Sequence, residues 1–252
     1  MEISQLKSET SPPSSLSSEY KQYAEEEAKK PVSDRYLPPK ERKLANELYG
    51  SRMGQGCFII GSGPSIKKAE RSLQEPTHGT FRIAINEAIT KVPAEYWMFI
   101  DSDAYLKWKD HPNAKNAIKL GVDRFWMEYA DDVVIWRRAF SSEDVKAGRL
   151  VHRSTTLIPA MHLSFWLGAT DVITVGCDNY EPADSGWDAT RKDIMNCTFL
   201  RINHALVKDM PYIAPSWVKM VDVSGGDLLL PKSNLFSQLA KLRKKHGSPI
   251  SH

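Results

Sequence analysis

Cysteine is scarce in this chain: Cys57, Cys177 and Cys197 are three in 252 residues, an odd number that offers no disulfide framework. Two of them stand in apolar or strand-ending contexts, where a small buried thiol is the ordinary reading. Long hydrophobic runs are missing too. No apolar stretch approaches the roughly 20 residues of a membrane-spanning helix. The opening MEISQLKSETSPPSSLSSEYKQ interrupts every short apolar group with acids, serines or prolines, unlike a secretory signal. These absences lead us to expect a soluble, cytoplasmic protein with no membrane span. A dominant charge is also lacking. The 34 Lys and Arg against 31 Asp and Glu leave a net charge of +3, so composition implies no nucleic-acid partner, although phosphorylated substrates are compatible. His and Cys show no zinc-ligand spacing, and there is no internal repeat.

What is present falls into four segments. Residues 1–18, rich in Ser, Pro and Glu, read as a disordered arm, and 19–54 as an N-terminal helical extension ending near Gly50. Residues 55–231 carry the main domain, and 232–252 a basic C-terminal helix and tail whose cations suit a solvated helix end. Within the main domain strands and helices alternate. CFII, TFRIAI and EYWMFID read as strands, as do VDRFWME, DVVIWRR and DVITVGCD, while IKKAERSL and TTLIPAMHLSFWLGA read as helices, the latter closed by Gly168. Continuously apolar strands separated by helices predict an α/β fold: one Rossmann-like domain, mainly parallel, with helices on both sheet faces.

In such sheets ligands bind beyond the carboxyl ends of the strands, and here those ends carry the unusual residues. The first strand runs into Gly61, Ser62, Gly63, Pro64 and Ser65. Glycines let a ligand approach the backbone, Pro64 suits a first helical turn, and free N–H groups at the helix start would receive an anion; a tight turn capped by Ser62 or Ser65 is the competing reading. The third strand ends on Asp101, Ser102 and Asp103. Two crowded carboxylates need a cation or hydrogen-bond donors, so they are candidate ligands for Mg²⁺ or Mn²⁺, or else turn and capping acids. Asp178, at the end of the late strand, is a candidate general base, ribose contact or turn acid, and His152 is a second candidate base. His162, inside an apolar helix, reads as a packed histidine, and His204 could face either way.

The run FIIGSGPSIKKAERSL, then FRIAINEAITKVPAEYWMFIDSDAY, then STTLIPAMHLSFWLGATDVITVGCDNY resembles the superfamily of bacterial sialyltransferases that carry a Gly-Asn-Gly-Pro-Ser loop. It is also similar to the motility-associated glycosyltransferases and the 6-hydroxymethylpterin diphosphokinase-like proteins. The similarity covers residues 56 to 180. It implies a nucleotide-binding loop at Ser62, Gly63, Pro64 and Ser65, a nucleotide or sugar contact at Asn86, and a pocket-closing segment at Ser154, Thr155 and Thr156. PYIAPSWVKMVDVSGGDLLLPKSNL, a last strand and a Gly-Gly turn, resembles the ending of these families that completes the donor pocket, which puts Ser224 and Gly225 either on phosphate or in a plain turn. The sialyltransferases have Asn where this chain has Ser62, their catalytic histidine finds no matching position, and their metal-independent chemistry gives no reason for Asp101 and Asp103, which look more like the acids of metal-using glycosyltransferases or of a diphosphokinase that holds ATP through Mg²⁺.

The resemblance therefore implies a glycosyltransferase moving a sugar from a nucleotide-sugar donor to an acceptor hydroxyl, with Asp101 and Asp103 on the metal or donor. Two alternatives stand beside it: an ATP-dependent diphosphokinase acting on a small hydroxymethyl compound, and a non-catalytic nucleotide-binding module. The acceptor is left open between a glycan, a small molecule and a modified nucleic acid; Lys107, Lys109, Arg137, Arg138, Arg191 and the basic tail are the residues that would meet phosphates.

Overall fold

Five residues of unbroken apolar character, Gly56–Ile60, form strand β1, which is buried along its whole length. A strand apolar on both faces must be covered on both, and the computed structural model shows how. It describes residues 48–75, 77–100, 102–122, 133–136, 138–139, 150–151, 155–178, 202–208, 210–225 and 228–246. The expected arm, 1–18, and residues 19–47 of the expected extension, 19–54, lie outside these.

After β1 come helix α1 (Ile66–Leu73), β2 (Thr80–Ile85), a 3₁₀ turn (Asn86–Thr90) and β3 (Tyr96–Phe99). Helices α2 (Ser102–Trp108) and α3 (Pro112–Asn116) lead to β4 (Ile118–Val122) and β5 (Val133–Trp136). Short strands β6 (Arg138–Ala139) and β7 (Leu150–Val151) pair with each other. Helix α4 (Leu157–Trp166), β8 (Asp171–Val175), a short helix (Met210–Ile213), β9 (Lys219–Asp222) and α5 (Leu235–His246) follow. No helix among the described residues is long and apolar enough to cross a membrane.

Seven strands make one sheet in the order β5-β4-β3-β2-β1-β8-β9, and every pairing is parallel. The chain builds outward from β1 to β5, then returns to the other side of β1 with β8 and β9. The order reverses between β1 and β8, the place where open α/β sheets hold their ligands. The expected Rossmann-like architecture is therefore present. One strand differs from expectation: the sheet uses Ile118–Val122, where Lys119 and Gly121 interrupt the apolar run and hide it from periodicity. The pattern placed a strand over 122–128, most of which lies outside the described residues.

Alternation along β1 sends Phe58 and Ile60 to one face, into a core with Ile66, Ala69 and Leu73 of α1, Trp97, Phe99, and Leu235, Leu239 and Leu242 of α5. On α1 these apolar positions recur at i, i+3 and i+7, one stripe of a helix. Cys57 and Ile59 point to the opposite face, where α4 crosses β1 and β2. Helix α4 is buried along nearly all its length and ends at Gly168, whose φ of +97° matches the left-handed cap expected there.

Two buried charged side chains, Arg82 and Asp171, brace the frame through ion pairs. Arg82 on β2 pairs with Glu95 at 3.1 Å and donates to the Leu73 carbonyl at 2.9 Å, so its guanidinium satisfies the last turn of α1. Asp171, at the start of β8, binds Lys241 at 3.1 Å and Lys245 at 2.7 Å. The C-terminal helix is thus packed through its leucines and tied through two of its lysines, where the sequence suggested a solvated helix end.

Candidate functional site

Four strand ends meet along the carboxyl edge of the sheet: Gly61–Ser65 after β1, Asn86 after β2, Gly176–Asp178 after β8 and Ser224 after β9. The first and third interlock. Gly61 donates its N–H to the Val175 carbonyl at 2.7 Å, and Gly63 to the Gly176 carbonyl at 2.7 Å. A Cβ on Gly61 would stand 2.3 Å from the Gly176 oxygen, and one on Gly63 would stand 2.7 Å from it. Both glycines are therefore required for the approach of one loop to the other.

Asp178 closes this junction. One carboxylate oxygen accepts the Ser65 N–H at 2.6 Å, and the other accepts the Ser65 hydroxyl. A carboxylate at a helix start is well placed in the field of the helix, but it occupies the position an external anion would take. The remaining amides of the turn are also engaged: Ile66 donates to Gly63 at 3.0 Å, Lys67 to Pro64 at 3.3 Å and Lys68 to Ser65 at 3.1 Å. From Gly63 to Lys68 every N–H has an acceptor within the chain, and Pro64 has none to offer. From Gly63 to Lys68, then, the free N–H groups expected for an anion are not found: that of Ser65 goes to the Asp178 carboxylate and the others to main-chain carbonyls.

Asn86 is different. It is the one non-glycine residue with positive φ among those described, at +48°. Its Nδ2 donates to Thr156 Oγ1 at 3.3 Å, across 70 residues of sequence, while its Oδ1 is buried with no partner. Turning the amide over would move that lack to the nitrogen. Its backbone carbonyl accepts the indole N–H of the fully buried Trp97 at 2.9 Å, which anchors the strained residue to the core. Thr155 and Thr156, both buried, open α4 beside it; Thr155 Oγ1 accepts the Ile158 N–H at 3.5 Å. The structure thus brings Asn86 together with two of the three residues in the expected closing segment.

Asp103 is exposed in the first turn of α2, a site that favours an acid electrostatically. Asp101, His152 and Ser154 lie outside the described residues. Among the described residues no group of three or more His, Cys, Asp or Glu could hold a metal ion. Gly225 has φ +80°, and a Cβ added to it would meet no atom within 4 Å, so it serves an open turn. Ser224 is buried, and its Oγ accepts the Cys177 N–H at 2.9 Å.

Histidine and cysteine chemistry is muted here. His162 Nδ1 accepts the Val151 N–H at 3.0 Å, and burial pushes the imidazole down to about 4, in keeping with a packed histidine. Burial, together with the Asp222 and Asp178 carboxylates, raises the Cys177 thiol, and burial raises Cys57. Neither is a thiolate nucleophile. Several candidate phosphate-binding cations are engaged: Lys109 pairs with Asp110 at 2.8 Å, Lys107 lies 4.8 Å over the Trp108 ring, and Lys241 and Lys245 hold Asp171.

Asp222 is the residue that sequence reasoning missed. It has no exposed surface and accepts from Thr174 Oγ1 at 2.7 Å, the Ser224 N–H at 3.1 Å and Lys232 Nζ at 2.8 Å. The signal that could have found it is the one that marks Asp178: an acid closing an apolar strand. Comparison of the chain with protein-family models, curated proteins and solved structures finds no match.

Proposed function

We propose that this protein is a glycosyltransferase that moves a sugar from a nucleotide-sugar donor to an acceptor hydroxyl. The donor would lie along the carboxyl edge of the sheet, between the β1 loop, Asn86 and the start of α4. The observation that carries this reading is Asn86. A non-glycine residue with positive φ and a buried polar atom without a partner each cost on the order of 1–3 kcal/mol. Such costs are retained where a ligand repays them, and an unpartnered amide oxygen suits a hydroxyl or amino donor of a nucleoside. The order of the motifs, loop, Asn86 and then the threonines, supports a nucleotide ligand, and two of the three families that it resembles, the sialyltransferases and the motility-associated proteins, are glycosyltransferases.

In this reading Asp178, with both oxygens taken up by Ser65, shapes the donor loop, and His152 remains the candidate to accept the proton of the acceptor hydroxyl. The amides of Gly63 to Lys68 are spent, so charge on the leaving group would be met elsewhere, by Mg²⁺ or Mn²⁺ held through Asp101 and Asp103.

The test is a thermal-shift panel of CMP, UDP, GDP and ATP, each with Mn²⁺ or with chelator, on wild type and Asn86→Ala. Ligand at 100 times its dissociation constant stabilises the folded state by about 2.7 kcal/mol. A shift with a pyrimidine or guanosine nucleotide, lost in the variant, is the expected result. A shift with ATP alone would move the assignment to pyrophosphoryl transfer, and no shift with any of the four would sink the proposal.

A further inference from the structure

The hydrogen bonds around Asp222 do not end at β9. Ser224 donates its N–H to Asp222 Oδ1 at 3.1 Å, and its Oγ accepts the N–H of Cys177 at 2.9 Å. The next residue, Asp178, holds Ser65 by its N–H at 2.6 Å and by its hydroxyl. One continuous path of polar contacts therefore runs from the end of β9, across the end of β8, to the loop after β1.

The path starts from a group whose placement needs a reason. Asp222 is fully buried, and a buried carboxylate is tolerated only when charge and hydrogen bonds offset its lost hydration. Here Lys232 supplies the charge at 2.8 Å, while Thr174 and Ser224 supply the bonds. A strand end needs no such ensemble merely to pair with β8, and Thr174 could find an acceptor without an ionised partner. What the carboxylate adds, held in one orientation by Lys232, is a fixed acceptor for the Ser224 N–H, which sets the direction of the Ser224 hydroxyl toward Cys177.

We infer that Asp222 is a positioning residue: acting through Ser224, it fixes the Gly176–Asp178 loop and so determines where Ser65 and the β1 loop stand. The purpose of that loop rests on the function proposed above, but the coupling itself does not, and it is tested without ligand.

The experiment is hydrogen–deuterium exchange on the full-length wild type, Ser224→Ala, Ser224→Thr and Asp222→Asn. In Ser224→Ala the amides of Gly63 and Ser65 exchange about tenfold faster while those of β2 and β3 are unchanged. Ser224→Thr, which retains the oxygen, restores the wild-type rates. Unchanged exchange at Gly63 and Ser65 in Ser224→Ala overturns the inference, as does an equal rise in every strand, which would mean a general loss of stability. Should Ser224→Ala fail to fold, Asp222→Asn decides, since it retains size and one acceptor oxygen but loses the charge facing Lys232. Faster exchange confined to the β1 loop supports the inference, and wild-type rates there overturn it. A wild type that binds no nucleotide would remove the proposed function and leave this result standing.

Discussion

The carboxylate of Asp178 accepts the backbone N–H of Ser65 at 2.6 Å across 113 residues of sequence. A loop read from its glycines as an open anion site is thus a closed junction, and the acid read as a candidate base is the group that closes it. Asp178→Ala should cost about 1–2 kcal/mol, because the Ser65 N–H and hydroxyl lose their partner, and Asp178→Asn less, because the amide oxygen still accepts the N–H. Urea unfolding of the two variants checks the ranking. A general base would reveal itself as a loss of roughly 10²–10⁴ in turnover with donor binding intact; the geometry predicts weaker donor binding instead.

Asn86→Gly should separate stability from binding. Glycine adopts a φ of +48° without strain and removes the unpartnered oxygen, so the variant should stay within about 1 kcal/mol of wild type or exceed it. Nucleotide binding should be lost. A melting curve with and without the nucleotide that shifts the wild type reads both effects, and a variant that binds normally would contradict the role given to Asn86.

The glycines should rank by what lies beside them. Gly61→Ala brings a Cβ to 2.3 Å from the Gly176 oxygen, backbone against backbone, and should cost more than about 2 kcal/mol. Gly225→Ala meets no atom within 4 Å and strains only its φ of +80°, for about 1 kcal/mol. Equal unfolding midpoints for the two variants would show that the loops after β1 and β8 do not interlock as described.

His162 makes stability depend on pH. In the unfolded chain the imidazole takes up a proton near 6.5, whereas in the folded protein burial delays this to about 4. Between those values the unfolded state binds more protons, so stability is full above about pH 6.5 and falls as the pH drops toward 4, by about 3 kcal/mol at most. His162→Gln removes the titrating group and should flatten the curve between pH 7 and 4.5 in urea titrations. An unchanged slope would assign the acid sensitivity to other groups. Asp171 contributes at lower pH: burial would raise its carboxyl, but the bonds from Lys245 and Lys241 outweigh that and hold it below the usual range. Its contribution is therefore lost only as the pH falls through that lowered value.

Much of the fold was legible because it is locally encoded. The apolar runs of β1, β2, β3 and β8, the stripe of α1 and the glycine after α4 each state their structure within a few residues. Strand β4 was not, because Lys119 and Gly121 break the apolar run, although Lys119 and Leu120 are buried in the sheet. At the site, the meeting of Asn86 with Thr156 followed the order of motifs. The capture of Ser65 by Asp178, and of Cys177 by Ser224, could not be read from the chain, since nothing near Ser65 in sequence shows which distant carboxylate will reach it. Asp222 was hidden for the same reason: its partners come from β8, from the turn after β9 and from Lys232.

The reversal of strand order after β5 also governs the sequence of assembly. Strands β1 to β5 can pair as they are made, each beside its predecessor, whereas Gly56 must await Asp171 and β8 must await Lys219. On a ribosome, one edge of β1 therefore stays open until most of the chain has emerged, and pairings so distant in sequence are slow to form. The contact between Ser65 and Asp178 belongs to that late step, so the closed junction marks a chain whose β8 has joined the sheet.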